Sequence, residues 1–85
     1  MEGFFYTYII QSLADEAFRY KGHCIELQER LKQHNSGPTK SIKHKAPFKV
    51  VYYETSTTRA EAIEKEKYWK TAAGRRYLQK KIMAS

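Results

Sequence analysis

Cysteine is almost absent: Cys24 stands alone among 85 residues, so no internal disulfide can form and a cysteine-based zinc site is disfavoured. Acid is in short supply as well. Lys and Arg number 16 against 9 Asp and Glu, a formal net charge of +7, and such an excess on so small a body calls for a polyanionic partner. The basic residues are spread along the chain rather than gathered on one amphipathic helix, which favours nucleic acid over a membrane surface. No apolar run is long enough to cross a bilayer, and no positively charged lead opens onto a signal-peptide core, so a cytoplasmic protein is expected. A Gly-rich phosphate cradle, a Ser or Cys nucleophile with triad partners, and a metal-ligating cysteine cluster are all missing. At this length one domain over residues 1–85 with a modest core is expected.

Aromatic residues are plentiful near the start. The run Phe4-Phe5-Tyr6-Thr7-Tyr8-Ile9-Ile10 is apolar or aromatic at odd and even positions alike, which predicts a strand covered on both faces, hence the central one of a small sheet. After a break at Ser12 to Glu16, Ala17 to His23 alternates: Phe18, Tyr20 and Gly22 share one face, Arg19, Lys21 and His23 the other. Tyr6, Tyr8 and Tyr20 thus gather in a hairpin. They form either a plain cross-strand aromatic core or part of a site, with Gly22 leaving room beside Tyr20 for a ligand or another backbone.

A helix is predicted from near Ile25 to Asn35, with Leu27 and Leu31 turned to the sheet and Glu26, Arg30 and His34 on an adjoining stripe. On a bland reading Arg30 pairs with Glu26 in solvent and His34 sits exposed near the helix C-terminus. Asn35-Ser36-Gly37-Pro38 ends the helix. A loop from Thr39 to Phe48 follows, carrying Lys40, Lys43, His44 and Lys45, with Lys49 just past it. It is either a solvated surface or a grip on phosphates.

Phe48 to Glu54 reads as a third strand, Val50 and Tyr52 on one face, Val51 and Tyr53 on the other. Thr58 with Glu61 three residues on suggests a capping box, opening a helix to about Ala73 that Gly74 breaks, before a basic helix from Arg75 to Met83 with Leu78 and Ile82 inward. At 100° per residue, Ala62, Ile63, Trp69 and Ala73 form one apolar arc with Glu66 near its middle. A carboxylate there is costly unless a cation, metal or donor meets it. Pairing with Lys70 one turn on is the simple answer, and a divalent-ion site the functional one.

Tyr6-Thr7-Tyr8 and Tyr20-Lys21-Gly22, followed by Arg30 at the appropriate spacing, resemble the two signatures and the arginine of the GIY-YIG nuclease superfamily. Leu31 to Gly37, Val51 to Glu54 and the Glu61 to Lys70 helix resemble its small stand-alone members, so the likeness covers nearly the whole chain. Tyr6 and Thr7 replace the Gly and Ile of the first signature, while the tyrosine is kept at Tyr8. The fold implied is α/β of the α+β kind: a three-stranded, mainly antiparallel sheet flanked by helices.

The resemblance also implies chemistry. Glu66 falls at the superfamily's metal-binding glutamate and would hold one ion, Mg²⁺ or Mn²⁺. Arg30 would bind the scissile phosphate through its planar donor fork. Tyr8 and Tyr20 match the signature tyrosines, one assisting as general base and the other positioning phosphate or water; a phenol with a pKa near 10 needs a nearby cation for the first task. His23 and His34 are further candidates for proton shuttling or phosphate contact, and Lys21, Lys40, Lys43, Lys45 and Lys49 for binding nucleic acid. Many relatives carry an asparagine in the C-terminal helix; here none follows Asn35, and Gln79 lies nearest that region. The implied activity is cleavage of DNA with low sequence specificity, structure-directed or in DNA repair and recombination, with a protein partner, self-association or unusual DNA structure needed for targeting. Phenols, Arg30, His34 and Glu66 are expected to converge on one face. The alternatives are a nucleic-acid-binding module without turnover and a protein-interaction domain of the same fold.

Overall fold

The computed structural model describes residues 4–36 and 43–84. Three strands, β1 (Phe5–Ser12), β2 (Arg19–Cys24) and β3 (Phe48–Ser56), form an antiparallel sheet in the order β2-β1-β3. Helix α1 (Leu27–Ser36) lies on one face, and α2 (Arg59–Trp69) with α3 (Ala72–Ala84) on the other. The architecture is α+β, as expected. Apolar residues of both parities make β1 the central strand: Tyr8 and Ile10 pack with Phe48 beneath Leu27 and Leu31, while Ile9 packs with Trp69 and Leu78. No described helix is long and apolar enough to cross a membrane.

Polar tethers set the spacing of the layers. Thr7 Oγ1 donates to the Ala62 carbonyl (3.0 Å), binding the central strand to α2. Asn35 clamps α1 to β3, accepting from the Phe48 N–H (2.6 Å) and donating to the Phe48 carbonyl (3.2 Å). The buried Ser12 hydroxyl accepts from the Ala14 and Asp15 N–H groups and donates to the Lys45 carbonyl, closing the hairpin turn.

Three local expectations need correction. A bulge between Ile9 and Ile10 pairs Ile9 with Tyr52 but Ile10 with Val50, and a residue inserted there shifts the alternation. Val51 and Tyr52 therefore both pack toward α2 and α3, and Val50 toward α1. The second break comes earlier than Gly74, at Lys70 and Thr71. Thr71 Oγ1 donates to the Tyr68 carbonyl (2.7 Å) and accepts from the Gly74 N–H (3.0 Å), so threonine starts α3 as a side-chain cap. Gly74 lies inside α3, and a Cβ on it would sit 1.8 Å from the Tyr68 oxygen. Its role is to let α3 pass close over the end of α2. At the start of α2 Thr58 caps as expected, accepting from Glu61 N–H (3.1 Å), but the Glu61 carboxylate reaches back to Thr57 rather than to the cap residue.

Candidate active site

The first half of the site lies between β1, β2 and α1. Tyr8 pairs across the sheet with Gly22. A Cβ on that glycine would stand 2.7 Å from Tyr8 Oη and 3.2 Å from the Tyr20 ring, so the space beside Tyr20 is filled by the phenol of Tyr8. That is why glycine is needed here. Tyr8 Oη is 3.0 Å from His34 Nε2, and the His34 ring meets Tyr20 edge-on at 5.2 Å. His34 is fully buried rather than exposed, because the stripe it shares with Arg30 faces the sheet. Burial, with the Arg30 charge adding to it, lowers its pKa and favours the neutral imidazole.

Arg30 lies against this cluster. No ion pair joins it to Glu26 among the described residues; the Arg30 N–H instead donates to the Glu26 carbonyl (2.9 Å), and its guanidinium donates to Gln33 Oε1 (3.0 Å). Its Nε–H is buried without an acceptor among the described residues. Burial pushes the Tyr8 phenol up to about 12 even though the Arg30 guanidinium pulls the other way. Tyr8 therefore stays protonated near neutrality.

The second half lies on the opposite face. Thr7 pairs with His23 while Tyr8 pairs with Gly22, and neighbouring strand residues point to opposite sides. His23 thus faces α2, where its Nδ1 meets Glu66 Oε1 at 2.6 Å and Lys70 Nζ meets Glu66 Oε2 at 2.9 Å. The carboxylate in the apolar arc does acquire partners, Lys70 among them. Burial raises the Glu66 pKa, but the hydrogen bonds from His23 and Lys70 prevail and hold it below the usual carboxylate value.

Convergence on one face is therefore not what the structure shows. The two halves meet instead around the edge of the sheet, at the end of β2, in a cleft lined by His23, Cys24, Ile25, Glu26, Glu29, Arg30, Gln33 and Arg59. His23 reaches it with Glu66 behind, and Arg30 reaches it with Tyr8 near. Arg59, the first residue of α2, stacks over Phe5 at 5.4 Å. Neither Arg59 nor Gln33 stood out in the sequence; the place of Gln33 three residues after Arg30 on one helix face was the available signal.

The lysines scatter. Lys45 is held by Asp15 (2.7 Å) and lies 5.7 Å from the Phe18 ring centre. Lys49 is exposed on β3, and Lys21 projects from β2 toward α3. Lys40 and the Lys43 side chain lie outside the described residues.

A family model described as the GIY-YIG catalytic domain matches residues 4–80. The chain belongs to the GIY-YIG family. Membership makes it part of a nuclease family acting on nucleic acid. Over 67 residues, 78% of this chain, it is 30% identical to a UPF0213 protein of Haloquadratum walsbyi, covering 73% of that relative. A UPF0213 protein of Staphylococcus epidermidis is 33% identical with 79% covered, and one of Bacillus pumilus 36% identical with 66% covered. No solved structure matches the chain.

GIY-YIG nucleases are generally metal-dependent. Among the described residues no three His, Cys, Asp or Glu side chains come together as a metal cluster, and Glu66 is the residue that would hold such an ion. Its carboxylate is ionised, its oxygens each accept one bond here, and an ionised carboxyl offers about four lone-pair sites. That fits one hard divalent ion keeping most of its waters.

Proposed function

We propose that this GIY-YIG chain is a metal-dependent endonuclease that hydrolyses DNA phosphodiesters with little sequence preference and is directed by DNA structure. The observation that carries this reading is the cleft at the end of β2, where Arg30 from one face of the sheet and His23 from the other border a single opening. Arg30 lines that cleft, and a phosphate oxygen is the acceptor that the planar donor fork of its guanidinium suits.

Tyr8 and His34 are too buried to touch substrate and act as positioning residues, fixing the aromatic wall against which Arg30 rests. The half-buried Tyr20, whose phenol acts electrostatically on the same guanidinium, would be the phenol that holds the phosphate or orients the attacking water. His23 has its Nδ1 engaged by Glu66, which leaves Nε2 to contact phosphate or pass a proton. Glu66 would hold the divalent ion, which when bound neutralises phosphoryl charge and activates water.

The test is nicking of supercoiled plasmid with Mg²⁺ or Mn²⁺ and with EDTA, extended to duplex, branched and single-stranded DNA and to RNA. Arg30→Ala should lower the rate about 10²- to 10³-fold, and Glu66→Ala should abolish it, both with unchanged circular dichroism. The bonds that already engage both Glu66 oxygens favour one second reading, a binding module without turnover. Salt-sensitive DNA binding with no product from wild type would select it.

A further inference from the structure

A second groove lies on the same face of β2 as His23, between that edge strand and α3. Its rim is basic, with Arg19 and Lys21 from β2 and Arg75 from α3, and Gln79 beside them; its floor is apolar, with Ile9 and Leu78. The sequence pattern separated Lys21 from the other lysines only by its place in the second signature, and α3 supplies the rest of the site.

The charges in this groove are not balanced from within. None of the ion pairs among the described residues involves Arg19, Lys21 or Arg75. Arg19 Nε donates to Gln11 (2.9 Å) and Arg75 to the Lys70 carbonyl (3.3 Å), both neutral acceptors. Burial lowers the Lys21 pKa, and Arg75, Lys70 and Arg19 lower it further in that order. Like charges held together at a part-buried site are unfavourable until an anion arrives.

The spacing fits a linear polyanion. Arg19, Lys21 and His23 occupy alternate positions on one face of β2, so their side chains repeat about every 7 Å along the strand. The row starts in the groove and ends at the candidate active-site cleft, which His23 lines. We infer that the β2–α3 groove binds the phosphodiester backbone of a nucleic-acid strand and leads it along the edge of the sheet to His23. This rests on the nuclease reading for the identity of the polyanion, and it adds the path that the strand takes.

Binding measured in EDTA, without turnover, separates the two. Fluorescence anisotropy of labelled duplex and single-stranded oligonucleotides is titrated across a salt series with wild type, Lys21→Gln/Arg75→Gln and the charge-matched control Lys32→Gln/Lys80→Gln. The groove variant should flatten the plot of log affinity against log salt by about 1.8 on duplex and about 1.4 on single strand, because two cations that neutralise phosphates are removed in each case. The control should change the slope much less. The groove variant should also melt at the same temperature as wild type or higher, since it relieves repulsion. An unchanged slope in the groove variant, or equal changes in the two double variants, overturns the inference even if plasmid nicking persists. Absence of nicking with the slope effect intact overturns the nuclease reading alone.

Discussion

Gly22→Ala tests the tightest contact in the candidate site. The added Cβ would lie 2.7 Å from Tyr8 Oη, 2.9 Å from Tyr8 Cζ and 3.2 Å from Tyr20 Cε2. Tyr8 cannot swing aside cheaply: its ring is 1% exposed, packs in the core with Ile10 and Phe48, and its hydroxyl is 3.0 Å from His34 Nε2. Overpacking of this kind costs about 1–3 kcal/mol, and loss of the Tyr8–His34 bond adds about 1 kcal/mol. A destabilisation of about 2–4 kcal/mol is expected, each kcal/mol lowering the melting temperature of a domain this size by about 4–8 °C. Urea unfolding of Gly22→Ala in wild-type and Tyr8→Phe backgrounds isolates the cause, because phenylalanine removes the closest atom. The cost of the alanine should shrink in the Tyr8→Phe background. A loss under about 0.5 kcal/mol in wild type, or the same cost in both backgrounds, would refute the claim that the Tyr8 phenol is what requires glycine.

Gly74→Ala should be worse, because its Cβ would meet a backbone oxygen at 1.8 Å; about 3 kcal/mol or more is expected, read from the same unfolding curves. Stability should fall on both sides of neutrality. In alkali the loss follows Tyr8, whose pKa is raised from 10.0 to about 12: the folded state keeps a proton that the unfolded chain releases, so stability present below pH 10 declines through that window. In acid, His34 has its pKa lowered from 6.5, so the unfolded chain gains the proton first and stability drops as the pH falls below that value; His34→Gln should flatten the urea midpoint below about pH 6.5. Lys49→Ala should weaken DNA binding more than Lys45→Ala, since Asp15 and Phe18 already occupy Lys45; equal losses in anisotropy titrations would count against that ranking.

Much of this protein could be read from local pattern. Apolar residues at both parities from Phe5 to Ile10 required two covered faces, and α1 on one side with α2 and α3 on the other supply them. The alternation from Phe18 to His23 placed the aromatic and basic sides of β2, and Thr58 marked the start of α2. These features depend on residues a few positions apart, where period and side-chain chemistry determine geometry. The burial of His34, the bulge opposite Ile9 and Ile10, the threonine cap that starts α3 and the filling of the Gly22 gap by Tyr8 all depend on elements far apart in the chain.

The same division applies to the candidate site. Residue type and helical phase singled out Glu66, an acid within an apolar arc, while Arg30 and His23 were legible only through their places in the family resemblance. How they stand to one another was decided by strand register. Pairing Tyr8 with Gly22 and Thr7 with His23 sends the phenols and the glutamate to opposite faces, and packing α1 and α2 on those faces brings the two halves together only around the free edge of β2. Pairing and packing are long-range choices, settled by which surfaces bury best against each other, and no local spacing in a linear chain encodes them.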